Sequence, residues 1–84
     1  MVKRLSFWFE VRAGHGRVRE WSAVTVGEGA TREQCLARCR AMAEFLAPTL
    51  LRSEGLDPGG HEVLVEEPPG LPRAGSWDRT MVVG

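Results

Sequence analysis

The sequence predicts an α+β domain: a small antiparallel sheet with one main amphipathic helix packed on one of its faces. Residues 3 to 12 alternate between apolar and polar side chains, which is typical of a half-buried strand. Residues 31 to 50 carry apolar side chains at helical spacing, and residues 61 to 66 alternate again. The predicted element order is therefore β-β-α-β, and a fourth short C-terminal strand is an open alternative.

The first two predicted strands form a hairpin. Apolar residues share one face of the first strand, and a glycine-rich turn over residues 13 to 16 leads into the returning strand, residues 17 to 26. The apolar residues are Leu5, Phe7, Phe9 and Val11. The alternation is imperfect around Trp21, which leaves two alternatives. Either Trp21 points outward near Trp8, or a β-bulge near Glu20 resets the phase.

The predicted helix begins after a glycine-containing break over residues 27 to 30. Thr31 is the expected N-cap, and Gln34 completes a capping box with it. We expect Pro48 to end or kink the helix, because proline removes a backbone donor and crowds the preceding turn. The apolar stripe is expected at Leu36, Cys39, Ala43, Leu46 and Leu50, widened by Cys35, Met42 and Ala47.

The third predicted strand, residues 61 to 66, places Val63 and Val65 on one face. We expect residues 1 to 67 to form a single domain and residues 68 to 84 to be a Pro/Gly-containing C-terminal segment. Its start is predicted to be loop or polyproline-like, because prolines cannot complete a ladder. For residues 76 to 83, a short edge strand and a loose tail are both open.

Length and composition indicate one small, soluble domain. The chain has 84 residues, 43% of them hydrophobic and 26% charged. No apolar run approaches the roughly 20 residues that cross a bilayer, and two cysteines are too few for a disulfide scaffold. We therefore expect a cytoplasmic protein that does not contact a membrane. A chain this short buries a modest core, and homodimerisation would widen its stability margin.

The net charge is zero, but the basic and acidic residues are unevenly distributed along the chain. Residues 1 to 40 hold eight basic and four acidic side chains, whereas residues 41 to 84 hold three basic and seven acidic ones. This asymmetry is expected to place a basic surface and an acidic surface on the same domain. Five acidic residues are the candidates for the acidic surface. They are Glu54, Asp57, Glu62, Glu66 and Glu67.

The face of the sheet that does not pack on the helix is the main candidate for binding. The residues expected there are Arg4, Trp8, Arg12, Arg19 and Trp21. Tryptophan and arginine are enriched at protein-interface hot spots, and they also stack on unpaired bases and neutralise phosphates. Glu10 on this face and the zero net charge favour a protein partner over nucleic acid. In a third alternative, the C-terminal segment with Trp77 covers this face.

No motif of high catalytic specificity is present, so we expect a protein without enzymatic activity, metal or cofactor. Cys35 and Cys39 lie one helical turn apart, but no second Cys/His pair stands at metal-ligand spacing, and packing is the favoured interpretation of both. His15 and His61 are isolated. Gly27 and Gly29 before the helix lack the further glycine of a dinucleotide-binding fingerprint.

A β-hairpin is followed by a glycine-led, capped helix, written VGEGATREQCLARC, and by a strand written HEVLVEEPP. Over residues 3 to 68, this layout resembles the β-grasp arrangement of small ubiquitin-like sulfur carriers. Those carriers are adenylated and then thiocarboxylated at a terminal Gly-Gly, whereas Val82, Val83 and Gly84 stand last here. The resemblance therefore implies an order of elements and no carrier chemistry.

The functional expectation is a small protein-binding module, an inhibitor or accessory protein that acts by steric occlusion of a larger protein or protein complex. Trp8 and Trp21 would anchor it. Phage counter-defence proteins such as anti-CRISPRs are one class of such inhibitors. The analogy rests only on the small size of this chain and on its lack of a recognisable motif. The acidic residues offer a second route, mimicry of nucleic acid toward a basic groove. The alternative function is single-stranded nucleic-acid binding through the aromatic and basic face.

Overall fold

A three-stranded antiparallel sheet and one long helix make up the fold. A computed structural model describes residues 1–71. The elements are the strands β1 (Val2–Ala13), β2 (Gly16–Gly27) and β3 (Glu62–Val65), and the helix α1 (Arg32–Ser53) between β2 and β3. The α+β prediction is confirmed. The edge strand considered over residues 76 to 83, and a cover supplied by Trp77, lie outside the described residues.

The β1–β2 hairpin is long and regular. Its register is continuous from the pair Val2 and Gly27 to the pair Ala13 and Gly16, which leaves no place for a bulge. The two-residue turn contains Gly14 at φ +59°, a conformation that glycine adopts without steric cost. Trp21 therefore points outward near Trp8, and no β-bulge near Glu20 resets the alternation of the second strand.

The strand order is β2-β1-β3, and β3 pairs antiparallel with residues 9 to 12 of β1. Because β2 and β3 both run antiparallel to β1, they are parallel to each other. With α1 as their connection they form a split β-α-β unit that has β1 in its middle. The observed order of elements, β-β-α-β, is the one that the sequence predicts.

The segment that follows β3 runs beside the remaining length of β1. The Glu66 N–H donates to the carbonyl of Trp8 at 3.0 Å, and the Lys3 ammonium donates to the carbonyl of Gly70. Pro68 is buried against the domain, but proline has no N–H with which to continue the ladder. Residues 66 to 71 consequently form no strand, as the proline content predicts.

Helix α1 begins with the predicted capping box. The Gln34 N–H donates to Thr31 Oγ1 at 3.1 Å, and the Thr31 N–H donates to Gln34 Oε1 at 2.9 Å. The helix does not end at Pro48 but continues to Ser53. Its last turn carries Leu51, whose side chain is completely buried, and this burial supports the turns beyond the proline.

The buried stripe of α1 overlaps the expected one and adds Leu51 to it. Every fourth residue is buried, and the stripe consists of Cys35, Cys39, Ala43, Ala47 and Leu51. Leu36, Leu46 and Leu50 are only half-buried at its sides. Small side chains along the centre allow the helix backbone to lie close to the sheet.

The core lies between α1 and one face of the sheet. The four predicted apolar residues of β1 are all buried, and Phe9 and Val11 are completely inaccessible to solvent. Burying side chains of this size contributes about 1.5–3 kcal/mol each to folding. Because these four side chains of β1 point toward α1, the alternate side chains of the strand point away from the core.

Candidate functional site

The candidate site is the sheet face opposite α1, which we call the open face. Strand alternation and the two registers define its members. They are Arg4, Ser6, Trp8, Glu10 and Arg12 of β1; Arg17, Arg19, Trp21, Ala23 and Thr25 of β2; and Glu62 and Leu64 of β3, with Glu66 beyond its end. The structure thus brings together all five residues that the sequence proposes for partner binding.

A cross-strand tryptophan pair lies at the middle of the open face. Trp8 and Trp21 are opposite each other in the β1–β2 register, with 42% and 47% of their surface exposed. Leu64, 37% exposed, adds apolar surface on β3. Large exposed aromatic groups beside polar ones are typical of binding surfaces rather than of ordinary solvated sheet.

Arg19 connects the strands of this face. Its guanidinium lies 4.4 Å from the centroid of the Trp8 ring and donates through Nη2 to Glu66 Oε2 at 2.7 Å. The side chain of Arg19 therefore reaches from β2 across Trp8 to the end of β3. The Trp21 ring, by contrast, makes no ring or cation–π contact with any described residue. Trp8 is thus partly covered, and Trp21 is available to a partner.

The charges of the open face are partly compensated within it. Arg12 forms an ion pair with Glu10, and this hydrogen bond lowers the pKa of the Glu10 carboxyl. The positive charges of Arg17 and Arg19 act in the same direction, while partial burial opposes them. Arg4 and Arg17 have no hydrogen bond or ion pair within residues 1–71. Within residues 1–71, these two arginines, near opposite ends of the face, are the positive charges of the face that remain available to a partner.

Sequence reasoning missed two members of the open face, Arg17 and Leu64. Arg17 has the same strand parity as Arg19 and Trp21, so the alternation of β2 was a usable signal once the bulge is excluded. Leu64 has the same parity as Glu62 on β3. Its place next to Glu10 follows only from the β1–β3 register, which no local pattern specifies.

The five acidic residues proposed as one surface lie in different settings. Glu62 and Glu66 belong to the open face. Glu67 forms an ion pair with Arg32 at the start of α1, and hydrogen bonding to that guanidinium lowers the pKa of the Glu67 carboxyl. Glu54 is the C-cap of α1, and Asp57 accepts a hydrogen bond from the Gly59 N–H in the following loop. The structure does not bring them together on one face.

The outer edge of β2 is occupied at two points by side chains. The Trp21 N–H donates to Glu20 Oε1 at 3.0 Å, and Arg38 of α1 approaches the Thr25 carbonyl at 3.5 Å. Side chains on the main-chain groups of an edge strand hinder its pairing with another strand. Strand addition to this edge is therefore hindered at these two points, while Trp8, Trp21 and Leu64 are exposed on the open face.

The two cysteines are core residues, and the two histidines are at least partly exposed. Cys35 and Cys39 are buried in the core, and burial raises the pKa of the Cys39 thiol. His61 lies 3.5 Å from Glu44, and His15 occupies the exposed hairpin turn. Within residues 1–71, no group of three or more His, Cys, Asp or Glu side chains is placed to hold a metal ion.

Comparisons with known proteins do not place the chain in a family. It matches no family model, no curated protein and no solved structure. In the part of the chain that the structure describes, no helix has the length and apolar character needed to span a membrane. What can be inferred about function rests on the open face.

Proposed function

We propose that this protein is a non-enzymatic binding module that attaches to a larger protein through its open face and occludes part of that protein's surface. The observation that carries the proposal is the exposed pair of Trp8 and Trp21 at the centre of a sheet face. Tryptophans in this setting supply most of the binding energy at protein interfaces, while surrounding polar groups exclude water.

The charge of the open face supports a protein partner rather than nucleic acid. The face carries four arginines and three carboxylates, and two of the arginines already have carboxylate partners. A nucleic-acid surface needs uncompensated positive charge to neutralise phosphates. A protein partner can match such a mixed pattern with its own acidic and basic groups.

The available groups suggest how a partner would be held. Trp21 and Leu64 present apolar surface on either side of Trp8, and a partner that covers them removes this surface from water. Arg4 and Arg17 flank the apolar centre and can form bidentate contacts with carboxylates. Strand pairing already fixes the backbone positions of these groups, so that binding orders side chains rather than main chain.

The proposal is tested by comparing the proteins that variants capture from cells that produce the chain. The variant Trp21→Ala removes the available anchor, and Phe45→Ala is its matched control, because Phe45 is 78% exposed on α1. We expect wild type and Phe45→Ala to capture the same protein, and Trp21→Ala to capture it at least about tenfold less well. Capture lost only in Phe45→Ala would contradict the proposal.

A titration with single-stranded DNA and RNA separates the proposal from its alternative. Tryptophan fluorescence is followed at low and at high salt. We expect no change in the signal. Strong quenching at low salt that weakens steeply as salt rises is the signature of phosphate contacts. That result would favour single-stranded nucleic-acid binding, with Trp21 as the stacking platform.

A further inference from the structure

We infer that the open face also binds a second copy of this chain, in a face-to-face dimer whose two-fold axis runs along the strands. This inference rests on the proposed function, since both treat the open face as a protein-binding surface. The partner it names is a second copy of the chain, and the distribution of charge across the sheet identifies that partner.

Charge on the open face is polarised across the strands. The β2 column contains Arg17, Arg19 and Trp21, and the β3 column contains Glu62, Leu64 and Glu66. The β1 register aligns these columns row by row, because Arg12 pairs with Arg17 on one side and with Glu62 on the other. One edge of the face is therefore basic and the other acidic.

A two-fold axis parallel to the strands matches these columns. Rotation about that axis turns the sheet over and exchanges its edges, so that β2 of one copy lies over β3 of the other. Arg17 then faces Glu62 of the second copy, and the same contact occurs twice. An axis across the strands would instead place the β2 column of one copy over the β2 column of the other, so that arginines would face arginines. For the β2 and β3 columns, charge complementarity selects the first arrangement, while β1 lies over its own counterpart in either one.

Arg17 and Glu62 are the groups on which this selection depends. Neither has a hydrogen bond or an ion pair within residues 1–71. Arg19 and Glu66 are already bonded to each other, as are Arg12 and Glu10, so these pairs gain less from a second copy. A charged side chain without a partner gains most from an opposite charge across an interface.

The apolar groups follow the same symmetry. The two copies of Trp8 face each other, and Trp21 lies over Glu66 of the second copy, one row away from its exposed Leu64. Facing sheets pack about 10 Å apart with interdigitated side chains, which brings such groups into contact. The dimer would remove the tryptophans from water and give this small domain a second buried layer.

Charge reversal at Arg17 and Glu62 tests the arrangement. We measure molecular mass by sedimentation over a wide range of protein concentration. Wild type is expected to dimerise, whereas Arg17→Glu alone and Glu62→Arg alone each weaken dimerisation about tenfold or more, because like charges then face each other twice. Arg52→Glu on α1 and Glu28→Arg in the loop before α1 are matched controls and should dimerise as wild type does.

The two reversed variants also provide a positive test. Mixed in equal amounts, Arg17→Glu and Glu62→Arg should form a heterodimer, because both contacts then join opposite charges. Native mass spectrometry distinguishes this species from either homodimer. The double variant with both reversals in one chain should regain self-association. Recovery in these two cases also excludes misfolding as the cause of the single-variant losses.

Each result decides between distinct conclusions. Wild-type chain that stays monomeric at every concentration overturns the inference but leaves the proposed function, which depends on capture through Trp21. A dimer that the single reversals do not weaken, or a mixture that forms no heterodimer, overturns this arrangement. A confirmed dimer together with capture that does not depend on Trp21 overturns the proposed function alone.

Discussion

The guanidinium of Arg19 lies over the ring of Trp8, with 4.4 Å between the guanidinium carbon and the ring centroid, and donates a hydrogen bond to Glu66. One side chain thereby joins β2 to the end of β3 across β1. Although Trp8 and Trp21 are opposite each other, this contact gives them different surroundings. Trp8 is held within the face, and Trp21 is left for a partner.

Removing the guanidinium should expose Trp8. In a chain carrying Trp21→Phe and Trp77→Phe, Trp8 is the only remaining tryptophan. Adding Arg19→Ala should then increase the quenching of Trp8 fluorescence by acrylamide and reduce the free energy of unfolding by about 0.5–1 kcal/mol. Arg17→Ala in the same chain should leave the quenching unchanged. Equal quenching with and without Arg19 would show that the stacking does not persist in solution.

The two tryptophans should also contribute unequally to stability. Trp21→Ala loses a cross-strand neighbour and should cost about 0.2–1 kcal/mol. Trp8→Ala loses that neighbour and the contact with Arg19, and should cost about 1–2 kcal/mol. Urea unfolding followed by circular dichroism measures both values. A larger loss for Trp21→Ala would reverse the roles assigned to the pair.

The hairpin, the helix cap and the open face could be predicted because they depend on local patterns. Period-two alternation identified the buried residues of β1, and the spacing of Thr31 and Gln34 identified the capping box. Once the buried face of β1 is known, strand geometry fixes which side chains are on the other face. Arg4, Trp8 and Arg12 could be placed in this way.

Features set by long-range packing could not be predicted. The bond from Arg19 to Glu66 spans 47 residues and depends on the direction of β3. Leu36, Leu46 and Leu50 of the predicted stripe are only half-buried, since close approach of the helix to the sheet favours the small side chains of that stripe. The continuation of α1 past Pro48 likewise depends on tertiary burial of Leu51.

Acid should destabilise the domain through the Arg32–Glu67 ion pair. The hydrogen bond from Arg32 lowers the pKa of Glu67 in the folded protein, so the unfolded chain binds a proton first as pH falls. The contribution to stability is complete above the ordinary glutamate value of about 4.3 and is lost as pH falls through the lower folded-state pKa.

The test of that ion pair compares urea midpoints over a range of pH. Glu67→Gln should be less stable than wild type near neutral pH, and the difference should shrink as pH falls from about 5 to 3. Glu28→Gln is the control, because the Glu28 side chain has no hydrogen bond or ion pair within residues 1–71. A constant difference at all pH values would show that the pair has no protonation linkage to folding.

Both thiols should be protected in the folded protein. Cys35 and Cys39 are the two cysteines of the chain and are 2% and 0% exposed, and burial raises the pKa of Cys39. A thiol-reactive disulfide reagent should modify them at least about a hundredfold more slowly in the native than in the unfolded protein. Thr49→Cys, on the exposed side of α1, should add one fast-reacting thiol. Rapid native labelling without that substitution would indicate an accessible, reactive cysteine.

Gly16 and Leu56 should be energetically coupled. A Cβ atom at Gly16 would lie 2.7 Å from Leu56 Cδ1, closer than packed carbon atoms approach, so Leu56 has to move aside. Gly16→Ala should therefore be less favourable in the wild-type chain than in a Leu56→Ala chain. A double-mutant cycle from urea unfolding should give a coupling of at least about 0.5 kcal/mol. Additive effects would show that the loop after α1 does not pack on the hairpin at Gly16.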